Sequence, residues 1–164
     1  MKPLDVITIG RAGVDLYGSQ IGGRLEDMGS FEKYIGGSPT NIAAGTARLG
    51  LKSALITRVG DEHMGRFIRE QLVREGVDVR GVKTDPERLT ALVILGIRDQ
   101  ERFPLIFYRE NCADMALCEE DIDEGFVAEA RRQDRQRPSG PGETGSLSGG
   151  VRIPTGVCRS LHPR

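Results

Sequence analysis

The residues best placed to do chemistry form one short run: Gly36, Gly37, Ser38, Pro39, Thr40, Asn41, Ile42 and Ala43. Gly50 and Gly60 follow it. Two glycines where a chain turns into a helix leave backbone N–H groups bare at the positive end of the helix dipole, where a ligand can approach them. Pro39 suits the first helical position, since its missing N–H would be unpaired there anyway. Ser38 is then the candidate N-cap. Asn41, in the first turn, offers both a donor and an acceptor to a hydroxylated ligand. The competing reading is an ordinary glycine turn before a core helix, because short glycine motifs are weak evidence by themselves.

These positions resemble the first signature of the PfkB carbohydrate kinases, the ribokinase-like family. Gly36, Gly37, Asn41, Ala43, Gly50 and Gly60 fall on its paired glycines, its Asn, its small residue, the glycine at its helix end and the glycine after its next strand. Asp5-Val6-Ile7-Thr8-Ile9-Gly10 agrees as an opening strand, and Gly60-Asp61-Glu62-His63-Met64-Gly65 resembles a later family segment. The resemblance spans about residues 4–130, the N-terminal part of such an enzyme. It implies that Asp15 accepts hydrogen bonds from sugar hydroxyls, with Gly36, Gly37 and Asn41 in the same substrate site. Read without it, Asp15 is an exposed turn carboxylate and Asn41 a polar residue at a helix start.

Within the family, Gly10-Arg11-Ala12-Gly13-Val14-Asp15-Leu16 and Phe31-Glu32-Lys33-Tyr34-Ile35-Gly36-Gly37-Ser38-Pro39 are most similar to the 5-dehydro-2-deoxygluconokinases, sugar-acid kinases of myo-inositol breakdown. Phe107-Tyr108-Arg109, with Ala113 and Asp114, is similar to that group and to the 2-keto-3-deoxygluconate kinases. Arg109 is then expected to grip a substrate carboxylate, since a planar guanidinium can give it two hydrogen bonds. The competing reading is a solvated charge on a hairpin. A 2-keto-3-deoxygluconokinase or a fructokinase is the alternative within the family. Outside it stands a sugar-binding or non-functional fragment.

The family's catalytic motif, Asp-Thr-x-Gly-Ala-Gly-Asp, is absent from the 164 residues. Its last Asp is the base for the sugar hydroxyl, and its glycine turn forms an anion hole for the transferring phosphate. Phosphoryl transfer depends on such positioning and charge stabilisation. The resemblance therefore implies ATP and Mg²⁺ for the parent enzyme, but no catalytic, cofactor-binding or metal-binding residue in this chain. It also implies a sugar-acid ligand and a homodimer formed through lid strands.

Composition divides the chain into residues 1–130 and 131–164. The first part carries 16 basic and 22 acidic residues, the second 7 and 2, so the sign of the charge reverses. The second part has no Lys and no aromatic residue, and is rich in Arg, Gly, Pro and Ser. It shows neither helical nor strand periodicity, and such a composition cannot bury enough apolar area to offset its ordering entropy. We expect it to be disordered and to result from a change of reading frame near codon 131. A natural basic tail is the rival, but without aromatic residues to stack on bases it gives little support to nucleic-acid binding. No apolar run is long enough to cross a membrane, and no signal-peptide pattern opens the chain. Cys112, Cys118 and Cys158 form no metal-type pair and read as free cytoplasmic thiols.

The elements that must position these residues follow from periodicity. Leu4–Gly10, Val14–Tyr17, Phe31–Ile35, Ser53–Val59 and Val77–Val82 read as strands. Residues 18–29, rich in glycine, read as a loop or lid base. A helix is expected from Pro39 to Leu49, burying Ile42, Ala43, Thr46 and Leu49, with Gly50 at its C-terminus. A second, capped by Asp61, places Met64, Phe67, Ile68 and Leu72 on one face and stops at Gly76. Thr90–Arg98 and Pro104–Arg109 form a hairpin turning at Asp99-Gln100-Glu101. A last helix, Glu119–Ala130, points Ile122, Phe126 and Val127 inward, with Glu119, Glu120 and Asp121 as helix-start charges. Alternating strands and helices indicate a parallel α/β topology. The fold expected is the N-terminal part of a ribokinase-like three-layer α/β fold, with a mostly parallel sheet and a small β lid.

Overall fold

The computed structural model describes residues 4–130 of the chain. The expectations for residues 131–164, including Cys158, lie outside them. In chain order the elements are β1 (Val6–Ile9), β2 (Gly13–Gly18), β3 (Phe31–Gly36), α1 (Ser38–Arg48), β4 (Ser53–Gly60), α2 (His63–Arg74), β5 (Val82–Asp85), β6 (Ala91–Leu95), β7 (Leu105–Tyr108) and α3 (Glu124–Ala128). Three 3-10 turns lie at Leu25–Asp27, Ala113–Ala116 and Glu119–Asp121.

Two sheets result. A parallel sheet has the order β1-β4-β5, and a lid sheet has the order β3-β2-β6-β7. In the lid, β2 and β6 are parallel, while β3 and β7 pair antiparallel on the outside.

β4 shows why the arrangement has three layers. Its side chains alternate between faces. Leu55 and Val59 join a core with Val14, Ala43, Ile68 and Leu72, beneath α1, α2 and the lid. Ala54 and Ile56 join Leu4 and Phe126 on the other side. Arg58 continues that second face. Its Nε and Nη2 donate to Asp121 at 2.6 and 2.9 Å, and its Nη1 lies 3.3 Å from Asp85. Asp85 and Asp121 are both buried, so this charged cluster fastens the segment after residue 117 to the sheet.

Several local expectations are corrected. α1 starts one residue early: Gly37 is the N-cap and Ser38, already helical, makes no capping bond. Ile42 and Leu49 are exposed, and the buried residues are Thr40, Ala43 and Ala44. These small side chains let the helix lie close to β1 and β4; Thr8 Oγ1 donates to the Pro39 carbonyl at 2.9 Å. Gly50, with φ +89°, ends the helix in a Schellman turn, its N–H on Ala47 O and that of Leu51 on Thr46 O. Glu62, not Asp61, caps α2, because its longer side chain reaches the Met64 and Gly65 amides at 2.6 and 3.1 Å.

The strand expected at Val77–Val82 forms only at Val82–Asp85. Before it, the Asp78 carboxylate accepts from the Arg80 N–H, and Val82 N–H closes a turn onto Val79 O. The last helix is also broken. Asp121 turns to Arg58 and to the Cys118 N–H instead of serving as a helix-start charge, and Asp123 starts a new helix by accepting from Phe126 N–H. The hairpin is as expected: the Asp99 carboxylate accepts from the Glu101 and Arg102 amides at its turn.

Candidate functional site

Asp15 sits in the middle of β2. Strand pairing puts Tyr34, Asp15, Val93 and Phe107 in one row across the lid, and therefore on one face. The Asp15 carboxylate lies directly over Gly36: a Cβ built there would stand 2.1 Å from Oδ1. A side chain at 36 would displace the carboxylate, which explains one glycine of the pair. Gly37 has a different reason. Its φ of +102° disfavours L side chains, and a Cβ would come within 2.4 Å of the Arg11 carbonyl. That carbonyl also accepts from Thr40 Oγ1 at 3.0 Å, which ties the β1–β2 turn to the start of α1.

Asp15 is half-buried, and among the described residues its carboxylate makes no hydrogen bond or ion pair. Burial pushes its pKa above the ordinary aspartate value, while the positive charge of Arg11 pulls it back only in part. An unpaired carboxylate of this kind is poised to accept hydrogen bonds from a ligand. It lines a cleft of about 480 Å³ together with Tyr17, Glu32, Tyr34 and Asn41. The Asn41 side chain is exposed and not hydrogen-bonded to the described residues. A second groove of about 500 Å³, between α1, α2 and β3, shares Tyr34, Ile35 and Asn41 with the first. Its charges are engaged locally, Arg48 with Glu75, and Lys33 over the Phe67 ring at 4.1 Å.

The structure thus brings together Asp15, Gly36, Gly37 and Asn41. Arg109 does not line the cleft. Its Nε and Nη2 both meet Asp114 Oδ2 at 2.8 Å, and the Asp114 side chain is fully buried. Arg11, which sequence reasoning passed over, does not line the cleft either, but its charge acts on the Asp15 carboxylate. Its guanidinium lies 5.7 Å from the centre of the Phe107 ring. The only sequence signal for it is its place between Gly10 and Asp15.

The N-terminal amides of α2, the second helix opening after a glycine, are already occupied by the Glu62 carboxylate. Among the described residues no group of three His, Cys, Asp or Glu side chains is placed to hold a metal ion. No helix there is long and apolar enough to cross a membrane.

Comparison with known proteins gives this geometry a family. Residues 4–137 match the pfkB family carbohydrate kinases. A 5-dehydro-2-deoxygluconokinase of Geobacillus kaustophilus is 43% identical over 131 residues, which are 79% of this chain and 39% of that protein. The chain thus spans about two fifths of the length of that curated relative. Among solved structures, a PfkB protein from Polaromonas superposes with a TM-score of 0.73 at 35% identity, over 78% of this chain and 43% of the other. A sugar kinase from Pyrococcus horikoshii in complex with ATP gives 0.69 at 34% identity, over 74% and 39%. With the family match covering most of its length, the chain belongs to the pfkB family of carbohydrate kinases.

Proposed function

We propose that the chain is the sugar-binding part of an ATP-dependent kinase whose substrate is 5-dehydro-2-deoxygluconate. One observation carries this reading: an unpaired, half-buried Asp15 carboxylate, seated over Gly36, shares a cleft with Asn41. Such a pair suits a polyhydroxylated ligand, because the carboxylate accepts from hydroxyls and the amide both donates and accepts. The choice of sugar acid rests on the name of the Geobacillus relative. ATP use rests on family membership and on the ATP complex of the Pyrococcus kinase.

The 164 residues lack the family's catalytic motif, so this chain by itself binds sugar without transferring phosphate. The same reading treats residues 131–164 as an off-frame extension, which resequencing codons 125–165 would test. It also includes pairing of two lids through the exposed apolar strand β7, where Leu105, Ile106, Phe107 and Tyr108 are 45–54% exposed. Light scattering on the purified chain would test that dimer.

Calorimetric titration of the full 164-residue chain with 5-dehydro-2-deoxygluconate, without ATP, tests the central claim. The expected result is saturable binding that the Asp15→Asn variant loses. No heat of binding, or equal binding by the variant, would overturn it. A fructokinase-type, neutral-sugar reading draws on one feature, the commitment of Arg109 to Asp114. Tighter binding of fructose than of the acid would favour it.

A further inference from the structure

We propose that Arg11, not Arg109, is the residue that selects an anionic sugar. The inference rests on the sugar-kinase reading above and adds the group that recognises charge. Arg109 is a poor candidate because two of its N–H groups meet a single oxygen of the buried Asp114, which neutralises it locally. The other arginines of the described residues are ion-paired, hydrogen-bonded or exposed. Arg24, Arg48, Arg58, Arg74, Arg80, Arg88 and Arg102 pair with carboxylates. Arg66 and Arg98 are exposed, and Arg69 donates to Thr84.

Arg11 differs in three ways. It is half-buried, and among the described residues its guanidinium makes no ion pair or hydrogen bond. It rests against the Phe107 ring, which holds a cation without using its N–H donors. Its backbone is pinned by the bond from Thr40 and by the close approach of Gly37.

The position is as telling as the freedom. Phe107 and Asp15 lie in the same row of the lid, two strands apart, or about 10 Å between backbones. Arg11 is near enough to affect the charge of Asp15 without forming an ion pair with it. A hydroxylated carboxylate can therefore place a hydroxyl on Asp15 and its carboxylate on Arg11, where the planar fork gives two charge-assisted bonds. A neutral sugar would leave Arg11 unused.

The test is calorimetric titration of the 164-residue chain with 5-dehydro-2-deoxygluconate and with its uncharged primary amide. The unmutated chain should prefer the acid by about tenfold, as expected for a hydrogen-bonded charge pair. Arg11→Gln should erase that preference, Arg11→Lys should keep part of it, and Arg109→Gln should leave it intact. Equal binding of acid and amide by the unmutated chain would overturn the proposal without any variant. So would an acid preference that survives Arg11→Gln or disappears with Arg109→Gln. If the chain binds neither probe, the sugar-kinase reading itself fails; if it binds both and only the preference is misplaced, the Arg11 assignment alone fails.

Discussion

Asp15 bears opposing demands of folding and binding. Its carboxylate is half-buried with no hydrogen-bond partner, and burial outweighs the help from Arg11, so its pKa is raised. A raised carboxyl lowers stability when ionised, and that cost is relieved as pH falls through the folded-state value toward the unfolded one. Asp15→Asn removes the buried charge at nearly constant shape. It should raise the melting temperature at pH 7 and abolish sugar binding, as read by thermal unfolding and calorimetry on the same samples. Binding by the unmutated chain should weaken on acidification at a pH above the ordinary aspartate range, because a protonated Asp15 accepts poorly. A variant that melts lower, or still binds, would mean that Asp15 serves the fold rather than the ligand.

Elements are held in place by close approaches that only particular residues permit. α2 begins so near the end of β4 that a Cβ on Gly65 would stand 2.0 Å from the Gly60 carbonyl. That atom is backbone and cannot swing away. Gly65→Ala should therefore cost about 2 kcal/mol or more, in the range of core overpacking. Gly45, in the middle of α1, is different: a methyl group there would meet nothing within 4 Å. At that position alanine only lowers the entropy lost on helix formation, so Gly45→Ala should stabilise by about 0.5–1 kcal/mol. Urea denaturation of the two variants checks the contrast. Equal effects would mean that helix propensity, not the approach of α2 to β4, decides both positions.

At the scale of the molecule, the Arg58 cluster joins three distant parts of the chain: β4, the end of β5 and the 3-10 turn at Glu119–Asp121. Burial pushes the Asp121 carboxyl up, but hydrogen bonds from Arg58 and from the Cys118 amide and thiol outweigh it, so its pKa is lowered. A lowered carboxyl stabilises the fold above its unfolded value, and the contribution is lost as pH falls through the folded one. Arg58→Met leaves Asp121 buried without its partner and should cost about 3 kcal/mol near neutral pH. The gap between variant and unmutated chain should narrow on acidification, because the buried carboxyl left unpaired in the variant takes up a proton first and its cost is relieved, while the unmutated chain begins to lose the contribution of its lowered carboxyl. Denaturation midpoints at pH 7 and pH 3 test this; a pH-independent gap would assign the loss to packing. The Arg48–Glu75 pair is a weaker contributor. Arg48 holds the Glu75 carboxyl at about 2, yet Arg48 is largely exposed and solvent screens the pair, so it adds little to stability.

Local chemistry made much of this protein readable before any coordinates. The apolar runs determined the central strands β1 and β4, the glycine pair determined the entry to α1, and the 3.6-residue spacing of Met64, Phe67, Ile68 and Leu72 determined the face of α2. The resemblance to the family was carried by Gly36 and Gly37, where close approach leaves few alternatives, and by Asn41. What sequence alone left undecided is whatever depends on a partner distant in the chain. The choice of Glu62 over Asp61 as cap depends on the reach of one extra methylene to amides fixed by the fold. The break in the last helix depends on Arg58, more than 60 residues earlier, drawing Asp121 away. The exposure of Ile42 depends on the small residues that bring α1 close to β1 and β4. Most consequential for function, the engagement of Arg109 and the freedom of Arg11 depend on where Asp114 and Phe107 come to rest. A charge's availability is set by its three-dimensional neighbours, and only the tertiary structure supplies those.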